Sequence, residues 1–219
     1  MVAKIISITN QKGGVGKSTT TMLLAGGFAK KHLRVFVADA DKQRTATRWA
    51  KEAPDHSPFP AHVYPMGDYD DTIHREIRKV VENYDVILID CPPAVESPIP
   101  QSALQVSDLA LIPMIPSPPD IWAAAGIDNL VKRAVITNPT LQARILVNMA
   151  QERTMLSRKV EELLGAFGIP ILRHRFVQRE IYRHTAGFGL TIYGMTGETA
   201  HVAQREVTGV TGEVLTVFA

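Results

Sequence analysis

Residues Gln11–Thr19 read Gln-Lys-Gly-Gly-Val-Gly-Lys-Ser-Thr and follow directly on the apolar run Ile5, Ile6 and Ile8. A β-branched run ending in a glycine-rich turn, with Gly-Lys-Ser opening a helix, is the layout of a phosphate-binding loop. Glycines at Gly13, Gly14 and Gly16 let backbone N–H groups crowd a polyphosphate, and the helix N-terminus behind them adds partial positive charge. Across Gly13, Gly14, Val15, Gly16, Lys17, Ser18 and Thr19, the Lys17 ammonium is spaced to reach β- and γ-phosphates, and the Ser18 hydroxyl to hold Mg²⁺. The ordinary pattern has Gly at position 11. This chain has Gln11 there, and then an additional lysine, Lys12. Two lysines bracketing three glycines supply more cation than one triphosphate needs from a single subunit. A plain glycine turn capped by Ser18 is the weaker alternative.

Short β-branched runs alternate with longer helical patterns along the chain. Strands are predicted at Lys4–Thr9, Val35–Asp39, Val86–Asp90, Leu109–Pro113, Arg144–Asn148 and Ile169–Leu172, and helices at Lys17–Lys31, Tyr69–Asn83, Ile121–Val135 and Leu156–Phe167. Nearly continuous apolar strands separated by helices predict an α/β fold: one mostly parallel twisted sheet flanked by helices on both faces, like the P-loop NTPases. Ala53–Pro65 holds several prolines and reads as an irregular connection. A final helix over Glu198–Val217 is interrupted by Gly209 and Gly212, and the pattern over 185–219 is weak. No linker divides the chain, so residues 1–219 read as a single domain. Ligands of such sheets bind at the carboxyl ends of the strands. Three of those ends carry polar clusters: Lys12–Thr19, Asp39 with Asp41, and Asp90.

Val86-Ile-Leu-Ile-Asp90 has the form of a strand whose terminal carboxylate holds Mg²⁺ directly or through water. Asp39 and Asp41, spaced i, i+2, project to one side of an extended chain. One can brace a metal shell while the other orients an attacking water; the alternative is an N-cap for a helix beginning near Thr45. Candidate metal residues are therefore Ser18, Asp90 and one of the pair Asp39 and Asp41. Cys91 is the only cysteine and reads as a packing residue, so no disulfide forms within the chain. A formal net charge of +2 does not by itself argue for nucleic acid, and no segment has the length and apolarity of a membrane span. The N-terminus lacks the pattern of a signal peptide, so the chain reads as cytoplasmic.

Lys12–Thr19, Asp39-x-Asp41-x-Gln43 and Asp90-x-Pro92-Pro93 together resemble the deviant-Walker ParA/MinD superfamily of ATPases. The stretch from Ser107 to Gly126 also resembles short ParA partition proteins of the ParF type. The resemblance covers most of Met1–Thr185. It implies ATP and Mg²⁺ as ligands and a homodimer formed on ATP binding. It further implies that Lys12, Lys17 and Asp41 are the catalytic residues, with Lys12 crossing to the partner's phosphates. Pro116, within the rigid Pro113–Pro119 stretch, would contact nucleotide. Further implications are slow hydrolysis without a partner, non-specific DNA binding with nucleoid association, and a small centromere-binding partner of the ParB or ParG kind. Lys42 departs from the family, which usually has proline there, and this predicts a less rigid loop.

Arg173–His184 holds four arginines and two histidines in twelve positions. If helical throughout, it would line Arg175, Arg179 and Arg183 along one face, able to grip phosphates without reading sequence. A solvated helix face balanced by Glu180 is the alternative. The cargo stays open between a plasmid or chromosome and a protein assembly such as a carboxysome or chemoreceptor cluster. A membrane regulator of the MinD kind would need a basic amphipathic tail, and Glu213–Ala219 has no basic residue.

Overall fold

The computed structural model describes residues 2–93, 97–151 and 168–218. The β-branched runs extend into strands that are buried except at Lys4 and over residues 142–144: β1 (Lys4–Ile8), β2 (Val35–Asp39), β4 (Val86–Asp90), β5 (Leu109–Met114) and β6 (Gln142–Val147). A shorter β3 (His62–Pro65) completes a six-stranded sheet in the order β3-β2-β4-β1-β5-β6, every pairing parallel. The proline-rich 53–65 segment therefore ends in a strand. It escapes sequence patterning because it is a half-exposed edge strand without an apolar run, and its Pro65 sits where an edge tolerates a missing donor.

Helices α1 (Lys17–Lys30), α2 (Thr45–Lys51), α3 (Ile73–Arg78), α4 (Ile99–Leu104) and α5 (Pro118–Thr137) fill the crossovers. After β6 come α6 (Ile181–Gly187) and α7 (Glu198–Thr216). Side-chain alternation divides the core by sheet face. Ile6, Ile8, Val37 and Leu88 pack with Met22 and Phe28 of α1 and Val207 and Val210 of α7. Ile5, Phe36, Ile87 and Ile89 pack with Ile73 and Ile77 of α3 and Ile99 of α4. Helix α1 is buried on every side from Thr20 to Phe28, so it forms the centre of its layer.

Helix α7 runs unbroken through Gly209 and Gly212. Packing outweighs the helix cost of glycine here. A Cβ at Gly27 of α1 would lie 2.2 Å from Thr211 Oγ1, so the two helices meet on a bare backbone. Other boundaries move for local reasons. Of the helix predicted over 69–83, only a 3₁₀ turn (Asp70–Thr72) and α3 form, and the chain then closes in i→i+3 turns at Lys79, Val80 and Asn83. The strand predicted at Ile169–Leu172 is a lone bridge from Ile171 to Ile145. The predicted helix at 156–167 lies outside the described residues. Among the described residues no helix is long and apolar enough to cross a membrane.

Candidate functional site

Strand register brings the three polar clusters together. Ile8 and Asp39 are both level with Asp90, so the phosphate-loop strand, Asp90 and Asp39 end in one row. The loop from Asn10 to Gly16 leaves β1 there, with Gly14 (φ 76°) and Gly16 (φ 83°) in the left-handed region that favours glycine. Cβ atoms at Gly13 or Gly14 would face open space, whereas one at Gly16 would fall 2.4 Å from Asn148 Nδ2. The Asn148 amide donates to the Val15 carbonyl at 2.7 Å, so the residue just after β6 holds the loop from behind. Lys17 donates its ammonium to the Lys12 carbonyl at 2.9 Å, folding back over the loop. Burial lowers its pKa from the ordinary value, and the negative charge of Asp90 opposes that shift.

Asp90 is fully buried. Its Oδ1 accepts from Thr21 Oγ1 at 3.3 Å, and Ser18 also hydrogen-bonds the carboxylate. Among the described residues its Oδ2 has no hydrogen-bond partner. Burial, with Asp39 adding, pushes the carboxyl up to about 7, against the pull of Ser18 and Lys17. A buried carboxylate with an orphaned oxygen beside a serine hydroxyl and a phosphate loop is the environment a divalent cation would satisfy. The residues present fit Mg²⁺.

The neighbouring aspartates divide the roles left open by their spacing. Asp39 Oδ2 accepts from both the N–H and the Oγ1 of Thr47 at 2.7 Å, so Asp39 caps the first turn of α2 from the end of β2. Burial raises its pKa and the Thr47 hydrogen bonds oppose the rise. Asp41 is half-buried; its Oδ1 accepts the Gln43 N–H at 2.9 Å. Asp41 borders a cleft of about 340 Å³ shared with Lys42, Asp70, Pro92 and Pro93. Of this pair, Asp41 is the one that borders a cleft, while Asp39 is buried, with its Oδ1 left without a hydrogen-bond partner among the described residues. The Lys42 loop is braced in spite of its missing proline: Lys42 pairs with Asp70 at 3.4 Å and Arg44 with Asp68 at 3.3 Å. The Asp41–Lys42 peptide also passes so close to Gly67 that a Cβ there would lie 3.1 Å from the Lys42 nitrogen. Pro116 sits at the carboxyl end of β5, in a turn closed by the Ser117 N–H on the Ile115 carbonyl at 2.8 Å. Cys91 is buried, and burial pushes its thiol pKa far up, as suits packing.

The arginine face is corrected. Helix α6 starts only at Ile181, and the preceding 170–178 segment is extended, bridging to β6 at Ile171 and just beyond it from Val177 to Ala150. Arg175, Arg179 and Arg183 therefore do not share one helix. Arg179 turns inward: its Nε and Nη2 donate to Glu206 Oε1 at 3.0 and 2.6 Å, and Tyr182 donates its hydroxyl to Glu206 Oε2 at 2.7 Å. Arg175 and Arg183 are exposed. What this segment builds is a pocket of about 210 Å³ beside the loop, lined by Thr19, Asn148, Met149, Gln178, Arg179, Tyr182 and Arg183, among others. Sequence reasoning missed it. Asn148 was the available signal, since it was predicted to end a strand at the edge where ligands bind.

A model of the CobQ/CobB/MinD/ParA nucleotide binding domain matches residues 6–187. The Maintenance of carboxysome distribution protein A of Halothiobacillus neapolitanus is 28% identical over 214 residues, 96% of this chain and 95% of its own. The chromosome-partitioning ATPase Soj of Thermus thermophilus is 29% identical over 235 residues, covering 91% of this chain and 92% of its own. Among solved structures, an ATP complex of a McdA variant from Cyanothece superposes with a TM-score of 0.79 over 97% and 96% of the two chains. At 16% identity it shares the fold.

Proposed function

The chain belongs to the CobQ/CobB/MinD/ParA nucleotide-binding family, and on that premise we propose that it is a ParA-type ATPase that binds ATP with Mg²⁺, dimerises on doing so and hydrolyses it to ADP and phosphate to position a cargo. The observation that carries this reading is the row of glycine loop, Asp90 and Asp39 at the strand ends, with Asp41 two residues beyond it and a buried Asp90 oxygen that no hydrogen bond among the described residues satisfies. Backbone N–H groups of 13–18 and the Lys17 ammonium bind the phosphates. Ser18 and Asp90 would hold Mg²⁺, which when bound would supply charge neutralisation to the triphosphate. Asp41, which borders the cleft, orients the attacking water. Lys12 of each protomer completes the charge on its partner's nucleotide, so turnover requires the dimer. The pocket beside Thr19 receives the nucleoside, with the exposed Gln178 amide available to its heteroatoms.

Plasmid or chromosome partition, with non-specific DNA binding and a small ParB- or ParG-like partner, is the reading the Soj relative supports. A protein assembly as cargo is the second reading, favoured by the near full-length match to a carboxysome distribution protein. Both rest on the same nucleotide cycle. The test is ATP turnover by the full chain with and without duplex DNA, for the native protein and Lys12→Ala. The native protein should turn over ATP slowly, and Lys12→Ala should lose at least about tenfold more while keeping its affinity for ATP. Normal turnover by Lys12→Ala would refute the lysine's action across the interface. Equal retention of native protein on DNA with and without ATP would remove the DNA reading.

A further inference from the structure

We propose that Asn10 and Gln11 are positioning residues that lash the phosphate loop to β5 and α5, so that α5 sets the placement of Lys12. The inference rests on the reading of Lys12 as the lysine that acts on phosphate, and it explains the departure at position 11. Asn10 is buried. Its amide donates to the Pro113 carbonyl of β5 at 2.7 Å, and its Oδ1 accepts the Lys12 N–H at 2.9 Å. The Lys12 carbonyl in turn accepts the Lys17 ammonium at 2.9 Å. Both ends of the Lys12 main chain are thereby fixed, one to a strand end and the other to the first residue of α1.

Gln11 adds the link to α5. Its Nε2 donates to the Gly126 carbonyl at 3.1 Å, using a lone pair that a helical carbonyl has to spare. A Cβ at Gly126 would lie 2.2 Å from Gln11 Oε1. The side chain therefore lies against bare helix backbone, and any larger residue at 126 displaces it. Helix α5 continues directly from the Ile115–Ser117 turn that follows β5. One rigid element thus carries both that turn and the contact that orients Gln11. An ordinary phosphate loop needs only glycine at position 11, because its one lysine acts within its own subunit. A lysine that must meet a phosphate across an interface has to be aimed to better than about 1 Å. A side-chain tie to the next helix supplies that aim.

The experiment is a double-mutant cycle on the full chain with Gln11→Ala, Gly126→Ala and the two combined, with Gln11→Glu beside them. Affinity for a fluorescent ATP analogue with Mg²⁺, kcat and KM for ATP, and the thermal unfolding midpoint are measured for each. Each single variant should lower kcat by roughly tenfold to a hundredfold with KM for ATP nearly unchanged. The double variant should be no worse than the worse single, because both remove one contact. Gln11→Glu keeps the volume but turns a carboxylate oxygen toward the Gly126 carbonyl, and it should lose as much turnover as Gln11→Ala. Losses that multiply in the double variant, native turnover in Gln11→Ala, or full activity in Gln11→Glu would each overturn the tie. A native protein that binds no nucleotide is a different failure: it removes the functional reading itself, and the inference with it.

Discussion

Replacing Asp90 with Asn should stabilise the nucleotide-free protein, and the gain should appear only as pH rises. In the folded chain the Asp90 carboxyl titrates at about 7, against an ordinary 3.8, chiefly because it is buried. Folding therefore favours the protonated form. Between those two values the folded state binds more protons than the unfolded state, so stability falls as pH rises and levels off above about 7. From pH 5 to pH 7 the loss at this site is two pH units at about 1.4 kcal/mol each, or about 3 kcal/mol. The Asn variant has no such group and escapes the loss. Its own cost, a buried amide N–H without an acceptor, is about 1–3 kcal/mol but does not vary with pH, so it cancels when two pH values are compared. For a chain of this size about 3 kcal/mol corresponds to roughly 6–12 °C in midpoint. Thermal unfolding of both proteins at pH 5 and pH 8, with chelator and without nucleotide, measures that difference directly. Saturating Mg-ATP at pH 8 should then raise the native midpoint and leave that of Asp90→Asn nearly unmoved, because the native carboxylate is held charged for a cation. Parallel midpoint-versus-pH curves for the two proteins would refute the reasoning. So would equal stabilisation of both by Mg-ATP.

Two further substitutions test the packing that supports the site. Gly27→Ala drives a methyl onto Thr211 Oγ1 at 2.2 Å and should destabilise the fold by about 1–3 kcal/mol; Thr211→Ala in the same chain should recover much of it, as read by urea unfolding. Glu206→Gln removes the charge that gathers Arg179, Tyr182 and the Val177 N–H, with Arg179 and Glu206 side chains only 18% and 15% exposed. It should cost about 1–3 kcal/mol of stability and weaken ATP binding, since two walls of the pocket beside Thr19 lose their anchor. Unchanged nucleotide affinity would separate that pocket from the site.

The phosphate loop was legible because its chemistry lies in consecutive residues: glycines, Lys17 and Ser18 need only a strand before them and a helix after. Asp90 and Asp39 were legible as strand ends for a similar reason, each closing a strongly apolar strand, with Asp41 two residues further on. The pocket was not, because Asn148, Gln178 and Tyr182 meet Thr19 only through the pairing of β6 with β5 and the docking of α6. The arginine spacing misled in a specific way. Positions 175, 179 and 183 are neighbours only on a continuous helix, and here Phe176 is buried in the core while its neighbours run extended beside the end of β6. The acid that captures Arg179 lies 27 residues further on, beyond the reach of any local pattern.

The segment least legible in sequence supports the site through one helix. Helix α7 forms across two glycines because Val207 and Val210 bury against α1, and α1 is the helix whose first residues, Lys17 and Ser18, are the ones proposed to meet the phosphates. The same helix carries the largely buried Glu206 side chain, which fixes Arg179 and Tyr182 of the pocket. A change in how α7 seats on α1 would therefore move the loop helix and the pocket wall together. Low helix propensity over 198–217 and a close glycine contact at Gly27 are then two aspects of one requirement: the backbones must approach closely for a single element to brace both the loop helix and the pocket beside it.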